Sequence, residues 1–580
     1  MILNKWEIEA FKPFQIKPKR EVTNMKFKKS FFTKAAAAAF MIGAAGTLAA
    51  CGGSGGSDST ATTTASSGST TAATTTAAST TTSSSSSSSE GKTLKLAYPS
   101  TITTLDVADG GGATMLKEVA GVIETLVNVN SDFELQPSLA KSWERKDDTT
   151  WEFKLRDDVK FHDGTDFNAE AVKWCLERTL ESNESFGKTS SIESVEVVDD
   201  HTVTIKTKTA TGELPEALCN VSAAIVAQSS LNSAGEFEKP VGTGYFMHDS
   251  FDVSSGTFTC VKFDDYYEDV KTNVTKREVY GIADANTRSL AAQNHEVDIA
   301  TDVPFSDLTA LANADGIKTE MFDTARVYFY SFNLNKDYLK DVNVRKALIY
   351  AINEQELVND ALMGVGSVSK GIFMDKMPWA NNDLDAYNYD VEKAKTLLDE
   401  AGVKDSDGDG YRDYNGQNLD LQLITGSRRP GNALICQATQ GYFDEIGIKA
   451  NVEVLDGNAQ TEKIEKGEFD MKLDSAASGY VPSASFYLSQ YYKSDSTNAK
   501  RIGYSNTELD GILDKCKAEV AGDEKNKISK EAQVICQEEV PVFTAANYGA
   551  VFVMNDKIEN FSYSAAVHDF IVPYETSLAD

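Results

Sequence analysis

Leu135-Gln136-Pro137-Ser138-Leu139-Ala140-Lys141-Ser142-Trp143-Glu144, followed by Trp151-Glu152-Phe153-Lys154-Leu155-Arg156 and Val159-Lys160-Phe161-His162-Asp163-Gly164, decides how the rest of the chain is read. Trp151, Phe153 and Leu155 alternate with polar residues, the period of a strand with one face in a core. Outward from it, Leu94, Leu96 and Tyr98 repeat the pattern, as do Val203 and Ile205. Helical spacing interleaves with these strands. Asn168 is placed to cap a helix with apolar positions Val172, Leu176 and Leu180. Asp390 caps a second, which carries Val391, Ala394, Leu397, Leu398 and Ala401 and stops at Gly402. Val344, Ala347, Leu348, Ala351 and Ile352 mark a third. Strands and helices mixed without an internal repeat predict a large α/β protein with several subdomains.

Size and charge narrow the function. A chain of 580 residues exceeds one ordinary hydrophobic core, so at least two lobes are expected. Asp and Glu number 87 against 56 Lys and Arg, a net charge of −31 that opposes binding to nucleic acid or to an anionic membrane surface. The acidic residues are spread along the globular part, as on a solvated surface, and a monomer is expected.

The N-terminal part reads as export and tethering. After Met25, Lys26, Lys28, Lys29 and Lys34 form a positive segment, and an apolar run extends from Ala35 to Ala50. That is the pattern of a signal peptide over residues 1–50, with the role of residues 1–24 open; the run is too short and alanine-rich for a membrane span. Leu48-Ala49-Ala50-Cys51 resembles the bacterial lipobox, which implies a diacylglyceryl thioether on Cys51 and attachment to the outer face of the cell membrane. From Gly52 to Ser89 no side chain except Asp58 is larger than threonine, so residues 51–90 are expected to be a lipidated cysteine and a spacer without a core. Gly52-Gly53-Ser54-Gly55-Gly56 has the spacing of a hydrolase elbow but lacks the strand-to-helix setting that chemistry needs.

The opening stretch resembles family 5 of the bacterial extracellular solute-binding proteins, which include peptide and nickel-chelate receptors. Further similarities follow in order: Val241-Gly242-Thr243-Gly244-Tyr245, Glu296-Val297-Asp298-Ile299, Ser331-Phe332-Asn333, Asp341 to Ala347 with Ala351-Ile352, and Asp390 to Gly402. The resemblance covers Lys92 to Pro573. It implies a type II periplasmic-binding-protein fold (cluster C) over 91–580, with two lobes and an extra subdomain. Lobe I takes 91–130, 240–328 and 546–580, the extra subdomain 131–239, and lobe II 329–545. It also implies a ligand enclosed between lobes that hinge on two crossing strands, delivery to an ABC permease and its ATPase, and neither catalysis nor a cofactor.

Within that frame, the candidate ligand-binding residues are Arg326, Tyr328, Trp379, Arg428, Asp474, Tyr480, Phe486 and Tyr487. Arg326 precedes Tyr328, Phe329 and Tyr330 at the crossover into lobe II, where a guanidinium grips a carboxylate bidentately; a surface salt bridge is the alternative. Arg428 and Arg429 follow a strand ending near Thr425, and such ends face the crevice. Trp379, Tyr480, Phe486 and Tyr487 offer apolar walls, or equally core. Oligopeptide receptors of the family carry an Asp in a Trp-x-x-Asp-Tyr-like segment for the peptide ammonium. The matching stretch, Asp474 to Pro482, lacks it, with Asp474 displaced. This weakens the ordinary peptide reading, and Arg326 with Tyr411 to Arg429 looks more like the nickel-chelate and dipeptide branch. Peptides still rank first, as the broadest ligand class.

Other motifs read structurally. His162, His201, His248, His295 and His568 have no partners at zinc spacing, and His162-Asp163 is expected at a strand end. Asp405, Asp407, Asp409, Gly410 and Asp413 match the start of a calcium loop, but the twelfth position is Gly416 rather than Glu, so a turn held by Asp side chains is preferred over a weak calcium site. Cys175, Cys219, Cys260, Cys436, Cys516 and Cys536 are open to disulfides or to burial as thiols. The leading expectation is capture of a short peptide or peptide-like metal chelate for a permease. A nickel-chelate or other small-solute receptor and a sensory or adhesive lipoprotein stand as alternatives, and a surface hydrolase is opposed by the lack of a Ser-His-Asp set.

Overall fold

The computed structural model describes residues 91–567 and 570–580; the expectations for the signal peptide, Cys51, the spacer and His568 lie outside the described residues. In chain order the strands begin with β1 (Lys92–Tyr98), the short β2 (Val127–Val129) and β3 (Leu135–Pro137), then β4 (Ala140–Asp147), β5 (Thr150–Leu155), β6 (Ile192–Asp199) and β7 (Thr202–Thr207). Next come β8 (Phe246–Asp252), β9 (Thr257–Lys262), β10 (Val274–Gly281), β11 (Ile299–Thr301) and the long β12 (Ile317–Phe332). The remainder are β13 (Asp413–Tyr414), β14 (Gln417–Asn418), β15 (Asp420–Gly426), β16 (Lys449–Leu455), β17 (Met471–Ala477), the long β18 (Val542–Asn555), β19 (Ile558–Glu559) and β20 (Ser577–Leu578).

The opening stretch of sequence folds into a separate antiparallel sheet of order β4-β5-β7-β6, with Phe153 fully buried opposite Val203. The main sheet has ten strands in the order β16-β15-β17-β12-β18-β11-β1-β10-β9-β8. Parallel pairing of β1 with β10 and β11 forms one half, and parallel pairing of β15 with β16 and β17 forms the other. Between them β12 and β18 run antiparallel, β12 also pairing with β17 and β18 with β11, so these two strands alone carry the ladder from one lobe to the other.

Their register breaks midway. Asp323 stands opposite Gly549, but the next pair is Val327 with Asn547, leaving Thr324, Ala325 and Arg326 against Tyr548. Thr324 fastens this bulge, its hydroxyl donating to the Tyr548 carbonyl at 2.7 Å and accepting from the Arg326 amide at 3.0 Å. Extra residues on one strand sharpen its bend and re-aim side chains, here at the junction of the lobes.

The helices form where capping chemistry allows. Asn168 accepts from the Ala171 amide at 3.0 Å to start α1 (Ala169–Ser182), and α2 (Leu214–Ala217) follows with Pro215 in its first turn. Asp341 caps α3 (Val342–Tyr350), and Asp390, accepting from Lys393 at 2.9 Å, caps α4 (Val391–Glu400), after which Gly402 takes a φ of +79°. Further along the chain come, among others, α5 (Pro430–Glu445), α6 (Phe486–Tyr492), α7 (Thr507–Ala518) and α8 (Asp523–Glu539). The C-terminal segment packs against the β1–β10 half of the sheet, where the fully buried Arg277 of β10 donates to the carbonyls of Val119, Val572 and Pro573 at 2.8, 3.0 and 2.6 Å and lies 4.4 Å from the Phe246 ring. Cys175, Cys219, Cys260, Cys436, Cys516 and Cys536 are buried free thiols. The two readings left open for them resolve to the second.

Candidate ligand-binding site

The bulge sets Arg326 where β12 passes between β18 and β17. Its backbone pairs with Ala477 of β17, and its guanidinium, 8% exposed, donates to the Ser475 carbonyl at 3.3 Å. Beyond β17 the Ser478 hydroxyl and amide both donate to the Ala325 carbonyl, at 2.7 and 2.9 Å. Gly479 follows where no side chain fits: a Cβ there would stand 2.5 Å from the Phe133 ring and 2.8 Å from the Ala325 methyl. This tie presents Tyr480, whose ring meets Phe486 edge-on at 5.6 Å. Burial pushes the Tyr480 hydroxyl up to about 12, with the Arg326 charge opposing. Tyr487 and Tyr491 extend the aromatic surface at 4.7 Å from each other, and Phe329 meets Tyr491 at 4.8 Å.

Tyr480 also closes one side of a cavity of about 320 Å³ whose other walls come from residues 117–129, from Pro137, Ser138, Cys219 and Val221, from residues 266–268 and from the C-terminal segment. Lys117, Glu118, Glu124, Tyr266, Tyr267 and Tyr574 are among its lining residues. Glu124 is the anchor of that wall: it accepts from the Thr243 hydroxyl at 2.8 Å, Tyr266 at 3.0 Å and Tyr267 at 2.8 Å. Burial raises its carboxyl from 4.5 to about 7, the three hydroxyls opposing. Lys117 donates to the Cys219 carbonyl at 3.1 Å, and burial lowers its pKa. None of the Glu124 group was singled out from sequence as a ligand contact. The available signal was Thr243 inside Val241 to Tyr245, whose partner lies 119 residues away.

Of the candidates, Tyr480 lines the cavity and Phe486 packs edge-on against it, with the Arg326 charge close by, whereas Tyr487, 1% exposed, is core between Phe329 and Phe373 at 6.3 and 5.7 Å. Asp474 lies on the neighbouring strand, ion-paired with Lys472 and bonded to the Gln460 amide at 3.2 Å, and its charge reaches Tyr487 and Tyr491. Three candidates lie elsewhere. Trp379 is 3% exposed inside lobe II, 5.9 Å from Phe133 and 6.3 Å from Phe373, its indole N–H without a hydrogen-bond partner. Tyr328 is 1% exposed, packed against Tyr548 at 5.1 Å and against Gly431. Arg428 is exposed, whereas its neighbour Arg429 is buried, paired with Asp302 and 5.7 Å from the Tyr548 ring.

The acidic loop brings Asp405, Asp407 and Asp413 within 4.8 Å of one another, and Asp409 points away to the Tyr411 amide and Asn418, at 2.8 and 2.7 Å. His162 accepts the Gly242 amide at 3.2 Å and donates to the Gly244 carbonyl at 2.9 Å, and burial depresses its pKa to about 4. It is therefore a neutral pin in the turn that carries Thr243.

A sequence profile of the bacterial extracellular solute-binding proteins, family 5 (middle region), matches residues 134–498. The glutathione-binding protein GsiB of Escherichia coli (strain K12) is 27% identical over 464 residues, covering 78% of this chain and 88% of that protein. The structure of a nickel ABC transporter from Bacillus halodurans aligns with a TM-score of 0.68 and 26% identity, covering 84% of this chain and 99% of the other. NikA from Brucella suis in complex with Fe(III)-EDTA shares the fold at a TM-score of 0.75 and 22% identity, over 83% of this chain and 99% of the other. Among the described residues no helix is long and apolar enough to cross a membrane. With its two sheet halves joined by β12 and β18, the chain belongs to family 5 of the bacterial extracellular solute-binding proteins, and it is a binding component of ABC transport with a type II two-lobed fold, not an enzyme.

Proposed function

We propose that this protein captures a short peptide or peptide-like metal chelate outside the cell, held to the membrane through a lipid on Cys51, and delivers it to a permease and its ATPase. The observation that carries the reading is the cavity of about 320 Å³ closed between Glu124 and Tyr480. Small-ligand sites span roughly 300–1,000 Å³, and this volume falls at the end suited to a ligand of a few residues. Arg326, close to Tyr480 though not itself in the cavity lining, is assigned the ligand carboxylate, which its planar fork binds through two parallel hydrogen bonds. Tyr480, with Phe486 edge-on against it, supplies a wall that accepts varied side chains. Because Asp474 is already engaged by Lys472, the cationic end of the ligand is assigned to the lobe I wall with Glu118 and Glu124. The names of the relatives, a glutathione-binding protein and a nickel transporter, bracket the same ligand classes. Lobe I is taken as 91–130, 240–328 and 546–580, the extra subdomain as 131–239 and lobe II as 329–545.

Thermal melting of the purified protein with glutathione, di- to tetrapeptides and nickel–histidine tests this. A ligand at a hundredfold its dissociation constant adds about 2.7 kcal/mol of stability, a readily measured upward shift. No shift with any of the three classes overturns the ligand assignment. Loss of the Cys51→Ser variant from the membrane fraction tests the anchor separately.

A further inference from the structure

Away from the cavity, segments flanking the four-stranded sheet reach across to lobe II at two points. The first is the tip of the β2–β3 hairpin. Phe133, 4% exposed, inserts beside Trp379, edge-on at 5.9 Å, and fills the space that the missing side chain of Gly479 leaves. Its φ is 63°, a left-handed conformation that an aromatic residue adopts only at a cost. The turn is held from within, Asn130 accepting from the amides of Asp132 and Glu134 at 2.9 Å each, so the ring is aimed before it docks.

The second point is ionic. Glu213, just before α2, and Glu216 within it meet Lys525 of α8 at 3.0 and 3.1 Å, with side-chain exposures of 8%, 2% and 2%. Glu213 also accepts from the Ser485 hydroxyl at 2.7 Å, and the Gly212 amide donates to the Lys517 carbonyl at 2.8 Å. The chains approach so closely that a Cβ on Gly212 would lie 2.0 Å from the Glu519 carbonyl oxygen.

We propose that Phe133 and the Glu213–Glu216–Lys525 group form a two-point clasp that holds the lobes closed without ligand and sets how often the cavity opens. The two points act differently. A buried ion group loses in hydration much of what it gains in attraction, and all three charges regain water when the lobes part, so it fixes the docking geometry more than it drives closure. Phe133 supplies the apolar drive, since opening exposes both its ring and Trp379. A backbone strained at the same residue offsets part of that drive, which keeps the clasp reversible. Affinity then depends on the closed fraction, because a ligand selects the closed form in proportion to its population.

The test is an interlobe distance in ligand-free full-length protein. Val198 on β6 and Val534 on α8 are 57% and 39% exposed, and spin labels on Val198→Cys and Val534→Cys in a Cys51→Ser background report across the contact; the described native thiols are buried. The parent is expected to show a dominant short distance. Phe133→Ala should lower the ratio of short to long distances at least about tenfold and shift Trp379 emission to the red. The Glu213→Gln/Glu216→Gln/Lys525→Met variant, which strands no charge and so guards against misfolding, should broaden the short-distance population. Identical distributions in the parent and in Phe133→Ala overturn the clasp, as does a parent that is already open.

Discussion

Two of the buried carboxylates near the junction of the sheet halves, Asp302 and Glu124, are treated in opposite ways. Asp302, at the end of β11, is met by a cation from the other lobe, Arg429, and by the Tyr548 hydroxyl. Glu124 is met only by hydroxyls in its hydrogen bonds, those of Thr243, Tyr266 and Tyr267 from its own lobe. The contrast separates two uses of a buried negative charge. A carboxylate paired with a permanent guanidinium is a fixed ionic tie beside the hinge bulge. One surrounded by neutral donors keeps its proton over much of the ordinary pH range and stays responsive to any positive charge that enters the cavity.

The largest effect is expected where the tie is cut. Arg429→Met leaves the buried Asp302 carboxylate without its ion-pair partner, with Arg288, bonded to its backbone carbonyl, left as a nearby cation, and should cost about 3 kcal/mol in urea unfolding. Asp302→Asn/Arg429→Met removes both charges and should recover most of that loss. If the single variant is as stable as the parent, the pair is not an ionic tie, and the contrast with Glu124 fails.

Protonation tests the other carboxylate. Glu124 has its folded pKa raised to about 7 from 4.5, so the native state binds the extra proton between these values. Its stabilising contribution is present below pH 4.5 and is lost as pH rises through 7, a change of about 3 kcal/mol by the linkage relation. His162 works against it over part of that range. With its folded pKa depressed to about 4 from 6.5, the unfolded state binds more protons, and stability falls as pH drops from 6.5 to 4. Melting temperature against pH should lose its neutral-side decline in Glu124→Gln and its acid-side decline in His162→Gln. A Glu124→Gln profile parallel to the parent's would show that the hydroxyl cage does not hold the proton.

A smaller effect is expected at Arg326, where lobe II faces the Glu124 wall. Arg326→Lys keeps the charge but loses the planar fork, and binding of whichever probe shifts the melting curve should weaken about tenfold with the melting temperature of the free protein nearly unchanged. Unchanged affinity removes Arg326 from the site.

The same residues show what the sequence carried. Period-two patterns such as Trp151-Phe153-Leu155 and caps such as Asn168 and Asp390 are local, and they specified the strands and helices that the structure contains. The lobe II face was partly legible because Arg326 sits in one continuous aromatic strand. The Glu124 wall was not, since its partners come from 119, 142 and 143 residues away and, of the four, only Thr243 lies in a stretch that the resemblance marks. Trp379 shows the converse. An aromatic in a loop reads equally as wall or core from sequence, and only the arrival of Phe133 decides what covers it.

Asp413 supplies a third treatment of buried charge, and with it the smallest expected effect. It is 5% exposed, and one of its oxygens accepts from both the amide and the hydroxyl of Ser406, so the loop satisfies it without a cation. Asp405 likewise accepts from the Gly408 and Gly410 amides, at 2.7 and 3.0 Å, and Asp409 is turned aside. A calcium loop instead aims these oxygens at one point and closes the shell with a carboxylate where this chain has Gly416. Millimolar calcium should therefore leave the melting temperature unchanged, and Asp405→Asn/Asp407→Asn should unfold with the parent's midpoint. A calcium-dependent rise that this double variant abolishes would make the loop a cation site, and Asp413 would then join Asp302 among the carboxylates answered by a positive charge.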